Sequence, residues 1–167
     1  DADRAREALR RCELVVASDC IQQTDTTALA HVLLPAAAWG EKDGTVTNSD
    51  RRISRQRAFL PLPGEAKPDW WIVCQVARRL GHPSAFAFEA AHEIFTEHAA
   101  LSGAENDGRR AFDISGLSSL NRGDYDRLAP IQWPVPVLRH PGTERLLSDA
   151  RYFHPDGKAR FVATPPR

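Results

Sequence analysis

Two short apolar runs in the first part of the chain constrain the fold most. The first is the β-branched stretch ELVVA at residues 13–17, and the second is HVLL at residues 31–34, which a proline stops. A charged, helix-forming stretch over residues 3–11 precedes the first run, and a short helix over residues 25–30 is expected between the two. Helix, strand, helix, strand is the order of an α/β fold. We therefore expect part of a parallel, Rossmann-like sheet flanked by helices.

The clearest helical pattern begins at Asp69 and ends at Leu80. Asp69 follows a proline and is the natural N-cap, and Gly81 closes the helix after two arginines in its last turn. Apolar residues recur at helical spacing within it, at Val73, Val76, Ala77 and Leu80. A second helix is expected from Ala90 to about Leu101, with inner candidates Ile94, Phe95 and His98.

Prolines set the end of the chain apart from its beginning. Seven of the twelve prolines lie at or beyond residue 130, and such a stretch forms neither long helices nor central strands. We expect a loop-rich arm with short helical turns, for example around residues 124–128. The predicted division is therefore residues 1–103 as part of an α/β domain and residues 104–167 as a loop-rich linker or arm.

Composition excludes several classes of protein. Lys and Arg total 22, as do Asp and Glu, so no basic stripe for nucleic acid is expected. No run approaches the roughly 20 apolar residues of a membrane helix, and the charged first residues do not resemble a signal peptide, which predicts a soluble, cytoplasmic protein. Three cysteines without CxxC spacing fit neither a disulfide framework nor an iron–sulfur or zinc site. The absence of methionine favours a segment of something longer.

Self-contained catalytic motifs are missing. The chain has no GxSxG elbow, no phosphate-binding GxxxxGK[ST] loop and no GxGxxG fingerprint. His92-Glu93 followed by His98 resembles HExxH, but six residues turn a helix by about 240°, which points the two rings apart. No catalytic residue and no metal ligand is therefore predicted.

Four residues are candidates for ligand binding. Ser18 and Asp19 follow the first predicted strand, where α/β sheets bind ligands, and a carboxylate there can accept hydrogen bonds from a ribose or from guanine N–H groups. A turn-initiating Ser-Asp pair is the alternative. Lys42 lies in a loop bracketed by glycines and could reach a phosphate or pterin oxygen, or simply be solvated. Asp69 is either a helix cap alone or a cap that also contacts a ligand.

A cluster of four arginines lies between the predicted strands and the first long helix. It consists of Arg51, Arg52, Arg55 and Arg57. Such a cluster is usually a solvated strand face, and only secondarily a patch for an anion or a partner.

The order of these elements resembles the molybdopterin oxidoreductase superfamily. The resemblance runs over VVASD at residues 15–19, HVLLP at residues 31–35, WGEKDGTVTN at residues 39–48 and PGEAKPDW at residues 63–70. The second half, with ENDGRRAFDISGL, YDRLAPIQWP and FHPDGKARF, is similar to the assimilatory nitrate reductases of bacteria.

The resemblance implies a cytoplasmic parent enzyme that reduces nitrate to nitrite at molybdenum held by two molybdopterin guanine dinucleotides. It implies that Ser18, Asp19, Lys42 and Asp69 contact a dinucleotide. The iron–sulfur cluster, the molybdenum ligand and a final barrel domain would belong to other parts of the parent. We therefore expect the isolated chain to be inactive and to hold no cofactor.

The expected partners are the remaining domains of the parent, together with copies of this chain that pair through exposed sheet edges. Two alternatives stay open at this point. One is a segment of a related formate dehydrogenase, and the other is a non-catalytic α/β interaction module.

Overall fold

The computed structural model describes residues 1–165, which form two compact units. The first unit consists of Asp1–Asp43 and Gln56–Ala91, and the second consists of Gly44–Arg55 and the chain from His92 onward. The predicted division after residue 103 groups the residues differently. The reason for the difference is that residues 44–55 form strands that pair with the second half of the chain.

The first unit contains the predicted parallel strand pair. It begins with α1 (Ala2–Arg10), and β1 (Val16–Asp19) then lies parallel to β2 (Val32–Pro35), with Val16 opposite Val32 and Asp19 opposite Pro35. Between the strands the predicted short helix is a single 3-10 turn, Thr27–Leu29. The mixed α/β class is thus confirmed, although the first strand begins three residues later than the apolar run.

A third extended segment lies beside the end of β2. Ala36 pairs in parallel with Lys67, and the main chain of Lys67 donates to Pro35 O at 3.0 Å and accepts from Ala37 N–H at 2.9 Å. On the other side, Ala36 N–H donates to Asp19 O at 3.0 Å. The chain therefore runs in the same direction through three neighbouring segments at this edge.

Helix α2 (Asp69–Arg79) follows this third segment, and its start differs from the prediction. The N-cap is Pro68, whose carbonyl accepts from Trp71 N–H at 2.9 Å and from Ile72 N–H at 3.1 Å, and no side chain caps the helix. The prediction that Asp69 is the N-cap is therefore wrong, because Asp69 already has helical geometry. Its carboxylate is left for another partner.

The apolar stripe predicted for this helix is largely exposed in the chain. Val73, Val76 and Leu80 expose 56%, 48% and 71% of their surface, whereas Cys74 is the buried residue of α2. No helix within residues 1–165 is long and apolar enough to cross a membrane.

The second unit is built around a sheet in the order β3 (Gly44–Thr47), β4 (Arg52–Gln56) and β5 (Ile131–Gln132). Strands β4 and β5 are antiparallel, with Ile53 opposite Ile131. Helices α3 (Ala91–Gly103) and α4 (Arg122–Asp126) are the regular elements between β4 and β5 in this unit, beside a 3-10 turn. The buried core comprises Ile53, Phe95, Ala99, Ile114, Leu117, Tyr125 and Val135. The predicted turn near residue 124 is α4, and of the predicted inner residues of α3 Phe95 is buried but His98 is exposed.

Two of the four arginines of the cluster, Arg51 and Arg55, are held by other segments, whereas Arg52 is 41% exposed and Arg57 is exposed as well. Arg55 exposes only 3% of its side chain, lies 3.9 Å from the centre of the Tyr125 ring, and donates to the carbonyl of Gly44. Arg51 donates to the carbonyls of Thr143 and Glu144 at 3.1 and 2.9 Å. For Arg51 and Arg55 the prediction of a solvated strand face was wrong, because β4 is a central strand and the segments that cover it come from far along the sequence.

Candidate functional site

Three parallel segments of the first unit end at one edge of the sheet, and the predicted site residues follow them. Asp19 is the last residue of β1, and Lys42 follows a 3-10 turn (Trp39–Glu41) shortly after β2. Asp69 begins α2, two residues after the segment at Lys67. Since the carboxyl ends of parallel strands are where α/β sheets bind ligands, this edge is the candidate site.

A cavity of about 360 Å³ lies at this edge, and Asp19 lines it. One carboxylate oxygen of Asp19 accepts from Ile21 N–H at 2.9 Å. Its other oxygen has no hydrogen-bond partner among residues 1–165. Asp19 therefore keeps an acceptor for a ligand while its side chain is held by its own backbone turn.

Ser18 is separated from this cavity although it is next to Asp19. Successive side chains of a strand point to opposite faces, and both Ala17 and Asp19 line the cavity whereas Ser18 does not. The Ser18 side chain is exposed. The structure therefore places Asp19 in the cavity, joins Lys42 to Asp69 in an ion pair, and turns the side chain of Ser18 to the other face of β1.

Lys42 and Asp69 form an ion pair. Lys42 Nζ lies 2.6 Å from Asp69 Oδ2, and the two side chains are 29% and 56% exposed. The residues are 27 positions apart in the chain and meet because α2 begins beside the loop that follows β2. The pair is open to solvent and thus reachable by a ligand.

The loop that carries Lys42 is fixed by the segment that returns to the first unit. The carbonyl of Gly40 accepts from the N–H groups of Phe59 and Leu60, both at 2.9 Å, and Gln56 Nε2 donates to Trp39 O at 2.6 Å. A Cβ atom on Gly40 would lie 2.8 Å from the Phe59 ring, so a larger residue here would push this exposed ring aside. These contacts fix the conformation of the loop before a ligand binds.

Two further carboxylates line the cavity and were not predicted. Glu41 accepts from Ala38 N–H at 2.8 Å, and Glu65 lies on the turn before Lys67. Glu41 stands next to Lys42 in WGEKDG, and Glu65 stands in PGEAKP shortly before Asp69. These two stretches are the part of the sequence from which both carboxylates could have been predicted. With Asp19 they make a cavity that contains three carboxylates and no lysine or arginine, which suits ligands that donate hydrogen bonds.

Metal ligands do not gather in the described chain. Within residues 1–165 no three side chains of His, Cys, Asp or Glu come close enough to hold a metal ion.

Comparison with known proteins identifies the class. Residues 1–79 match the molybdopterin oxidoreductase family, and this part of the chain is a molybdopterin oxidoreductase family domain. Over its whole length the chain is 56% identical to a nitrate reductase of Klebsiella oxytoca, of which it covers 19%. It is 38% identical over 165 residues to the assimilatory nitrate reductase catalytic subunit of Bacillus subtilis, with 99% of the chain and 22% of that protein covered.

Formate dehydrogenases are similar as well. The chain is 37% identical over 162 residues to the F420-dependent formate dehydrogenase 2 subunit alpha of Methanococcus maripaludis, with 97% of the chain and 22% of that subunit covered. Among solved structures, acetylene hydratase from Pelobacter acetylenicus matches with a TM-score of 0.61 and 21% identity, over 93% of the chain and 19% of that structure. This last likeness concerns the fold alone. The chain spans about a fifth of the length of the relatives it matches.

Proposed function

We propose that this chain forms part of the surface that binds molybdopterin guanine dinucleotide in a molybdenum-dependent nitrate reductase, which reduces nitrate to nitrite. The observation that carries the proposal is the edge where Asp19, Lys42 and Asp69 follow three parallel segments within the family domain. The chain itself contributes no catalytic centre. Other domains of the parent enzyme supply the molybdenum ligand and the iron–sulfur cluster, and the parent acts in the cytoplasm.

The residues at the edge fit a guanine nucleotide. Guanine presents N–H donors on one edge, and the cavity presents the free oxygen of Asp19 with Glu41 and Glu65 beside it. The cavity is also lined by apolar side chains such as Leu34, against which a flat ring can pack. When bound, the molybdenum–pterin group supplies the electron-transfer chemistry, and the residues of this chain bind and orient its nucleotide end. Ser18 stays a prediction that this edge alone does not support.

A variant of Asp19 tests the base contact. Asp19→Asn keeps the side-chain size but removes the charge, and losing a charge-assisted hydrogen bond costs about 1.5–3 kcal/mol. We expect the complete enzyme with this change to contain clearly less guanine nucleotide and molybdenum per polypeptide than the wild type. Asp25→Asn is the matched control, because the Asp25 side chain is 90% exposed and, among residues 1–165, forms an ion pair with Arg6 alone. Equal loss in both variants would contradict a specific role for Asp19.

The substrate is tested on the complete gene product. We expect the purified enzyme to reduce nitrate with a chemical electron donor and not to oxidise formate. Formate dehydrogenase is the second candidate, because such enzymes match the same span of the chain at 37% identity. Formate oxidation without nitrate reduction would reverse our assignment.

A non-catalytic α/β module is the remaining alternative. The genomic reading frame on both sides of this segment distinguishes it from a part of an enzyme. Stop codons flanking the segment would support the module, and an open frame that continues on both sides would support the enzyme.

A further inference from the structure

We infer that Arg55 is a positioning residue, which fixes the conformation of the loop of residues 39–44 and thereby the place of Lys42. Arg55 belongs to the second unit and acts through the main chain of this loop. The inference rests on the proposed function in one respect, since that function gives Lys42 its role at the edge. The conformation of the loop can nevertheless be measured independently of any cofactor.

The loop of residues 39–44 is hydrogen-bonded along its length to residues 55–60. These bonds run from Gln56 Nε2 to Trp39 O at 2.6 Å, from the N–H groups of Phe59 and Leu60 to Gly40 O at 2.9 Å, and from Ala58 N–H to Asp43 Oδ1 at 3.2 Å. Arg55 adds a bond at the end of the loop, where its Nη1 donates to the carbonyl of Gly44. The Arg55 side chain is 3% exposed, whereas residues 57–60 are exposed. Among these partners of the loop, Arg55 is therefore the one that a core can anchor.

Helix α4 holds the Arg55 side chain. The guanidinium carbon lies 3.9 Å from the centre of the Tyr125 ring, and Nη2 lies 3.3 Å from Asp126 Oδ1. Tyr125 is 2% exposed and belongs to the buried core of the second unit. A guanidinium can stack on a ring through its face while it donates hydrogen bonds in its plane, and a lysine ammonium has no such plane. One side chain thus ties the end of the loop at Gly44 to the core.

The chemistry of a buried guanidinium makes this tie stiff. A charged group that is removed from water must keep its hydrogen-bond acceptors, because leaving it without them costs more free energy than losing a neutral bond. The carbonyl of Gly44 is one of these acceptors. Gly44 supplies no stiffness of its own, because a Cβ atom there would meet nothing within 4 Å and a glycine backbone is the most permissive. Arg55 therefore restrains the chain two residues after Lys42.

A purely structural role is the alternative, in which Arg55 only completes the packing of the second unit. That role predicts a loss of protection from hydrogen exchange within this unit, for example at the hydrogen-bonded amides of Gly116 and Val135. A positioning role predicts a further loss at residues 58–60, whose amides bond to the loop within the first unit. The two roles therefore differ in which amides exchange faster.

Hydrogen–deuterium exchange of the complete enzyme, measured by mass spectrometry, tests the inference. Arg55→Met should make the amides of residues 58–60 exchange at least roughly ten-fold faster, the effect of losing a hydrogen bond to a charged group. Arg55→Lys, which keeps the charge but not the fork, serves the same purpose if Arg55→Met does not fold. Tyr125→Leu, which removes the ring under the guanidinium, should also speed exchange, and Tyr125→Phe, which keeps the ring, should not. Ile114→Ala is the matched control, because it removes packing from the same core and leaves the partners of the guanidinium unchanged.

The outcomes separate this inference from the proposed function. Faster exchange at residues 58–60 in the Arg55 variant and in Tyr125→Leu, but not in Ile114→Ala, supports the positioning role, and molybdenum and guanine content should fall in the same two variants. Faster exchange with wild-type molybdenum and guanine content would support the positioning role and overturn the proposed function of the edge. Unchanged exchange at residues 58–60 in the Arg55 variant, or an equal increase in Ile114→Ala, would overturn the positioning role whatever the cofactor content.

Discussion

The change Asp69→Asn in the complete enzyme separates a structural role of this residue from a ligand contact. In the structure, Asp69 has two local interactions that the change would weaken. One is the ion pair with Lys42, in which the partners are 29% and 56% exposed, and exposed pairs contribute about 0–1 kcal/mol. The other is the placement of a negative charge in the first turn of α2, which contributes about 0.3–1 kcal/mol. No capping hydrogen bond is lost, because Pro68 is the N-cap.

We therefore expect Asp69→Asn to lower the free energy of unfolding by only about 1 kcal/mol. Loss of charge-assisted hydrogen bonds to a nucleotide would cost more, about 1.5–3 kcal/mol, which corresponds to roughly 10- to 150-fold weaker binding. The content of molybdenum and guanine per polypeptide should fall strongly, while the urea midpoint of the protein changes little.

The assay measures three quantities on the same preparation. These are molybdenum by mass spectrometry, guanine nucleotide released by acid, and the free energy of unfolding in urea. Asp25→Asn, which also removes a surface ion pair of the first unit, is the control. Molybdenum and guanine at wild-type levels would refute the contact role. A stability loss well above 1 kcal/mol, with cofactor content falling only in proportion, would show that the role of Asp69 is structural.

Two stability predictions test the second unit. A Cβ atom on Gly116 would lie 2.2 Å from the carbonyl oxygen of Val137, so Gly116→Ala should lower the free energy of unfolding in urea by at least about 2 kcal/mol. A Cβ atom on Gly44 would meet nothing within 4 Å, so Gly44→Ala should lower it by less than about 1 kcal/mol. Similar losses in the two variants would contradict this packing. Arg55→Met should lower stability by about 2 kcal/mol, because the Arg55 side chain is 3% exposed and stacks on the Tyr125 ring. Arg52→Met should lower it by less than about 1 kcal/mol, because the Arg52 side chain is 41% exposed. Hydrogen exchange of the β4 amides measures both losses, and a larger loss for Arg52 would mean that Arg55 lies on a solvated strand face.

The elements that depend on local pattern were predictable from the sequence. The parallel pair β1–β2 and the helices α2 and α3 lie where apolar runs and helical spacing indicated them. The sheet of the second unit was not predictable in this way. Strand β5 has two residues, Ile131–Gln132, and pairs with residues 52–53 about 80 positions earlier. No periodicity can be detected in two residues, and the same long-range pairing buries Arg55, which sequence charge alone assigns to solvent.

The candidate site was predictable as a set of positions but not as a set of contacts. Asp19 ends a strand and Asp69 begins a helix, so their places in the fold could be inferred from local rules. The sequence does not reveal that Ser18 points away from the cavity, because this depends on the register at which β1 ends. Nor does it reveal that Lys42 meets Asp69, because the loop that brings them together is fixed by Gly40.

The contacts that shape the edge lie within the first unit, so the isolated chain should form the edge without the other domains. Main-chain hydrogen bonds join Pro35 to Lys67 and Ala36 to Asp19, and the Lys42–Asp69 pair closes the same region. The exposed apolar residues of α2 take no part in these bonds. If other domains of a parent enzyme cover that helix, they add stability by burying apolar surface, about 25 cal/mol for each Å². They need not rearrange the edge, so the amide hydrogens of Ala36, Ala37 and Lys67 should show the same protection from hydrogen exchange in the isolated chain and in the complete enzyme. Protection of these amides in the complete enzyme but not in a folded isolated chain would mean that the edge takes its shape from the other domains.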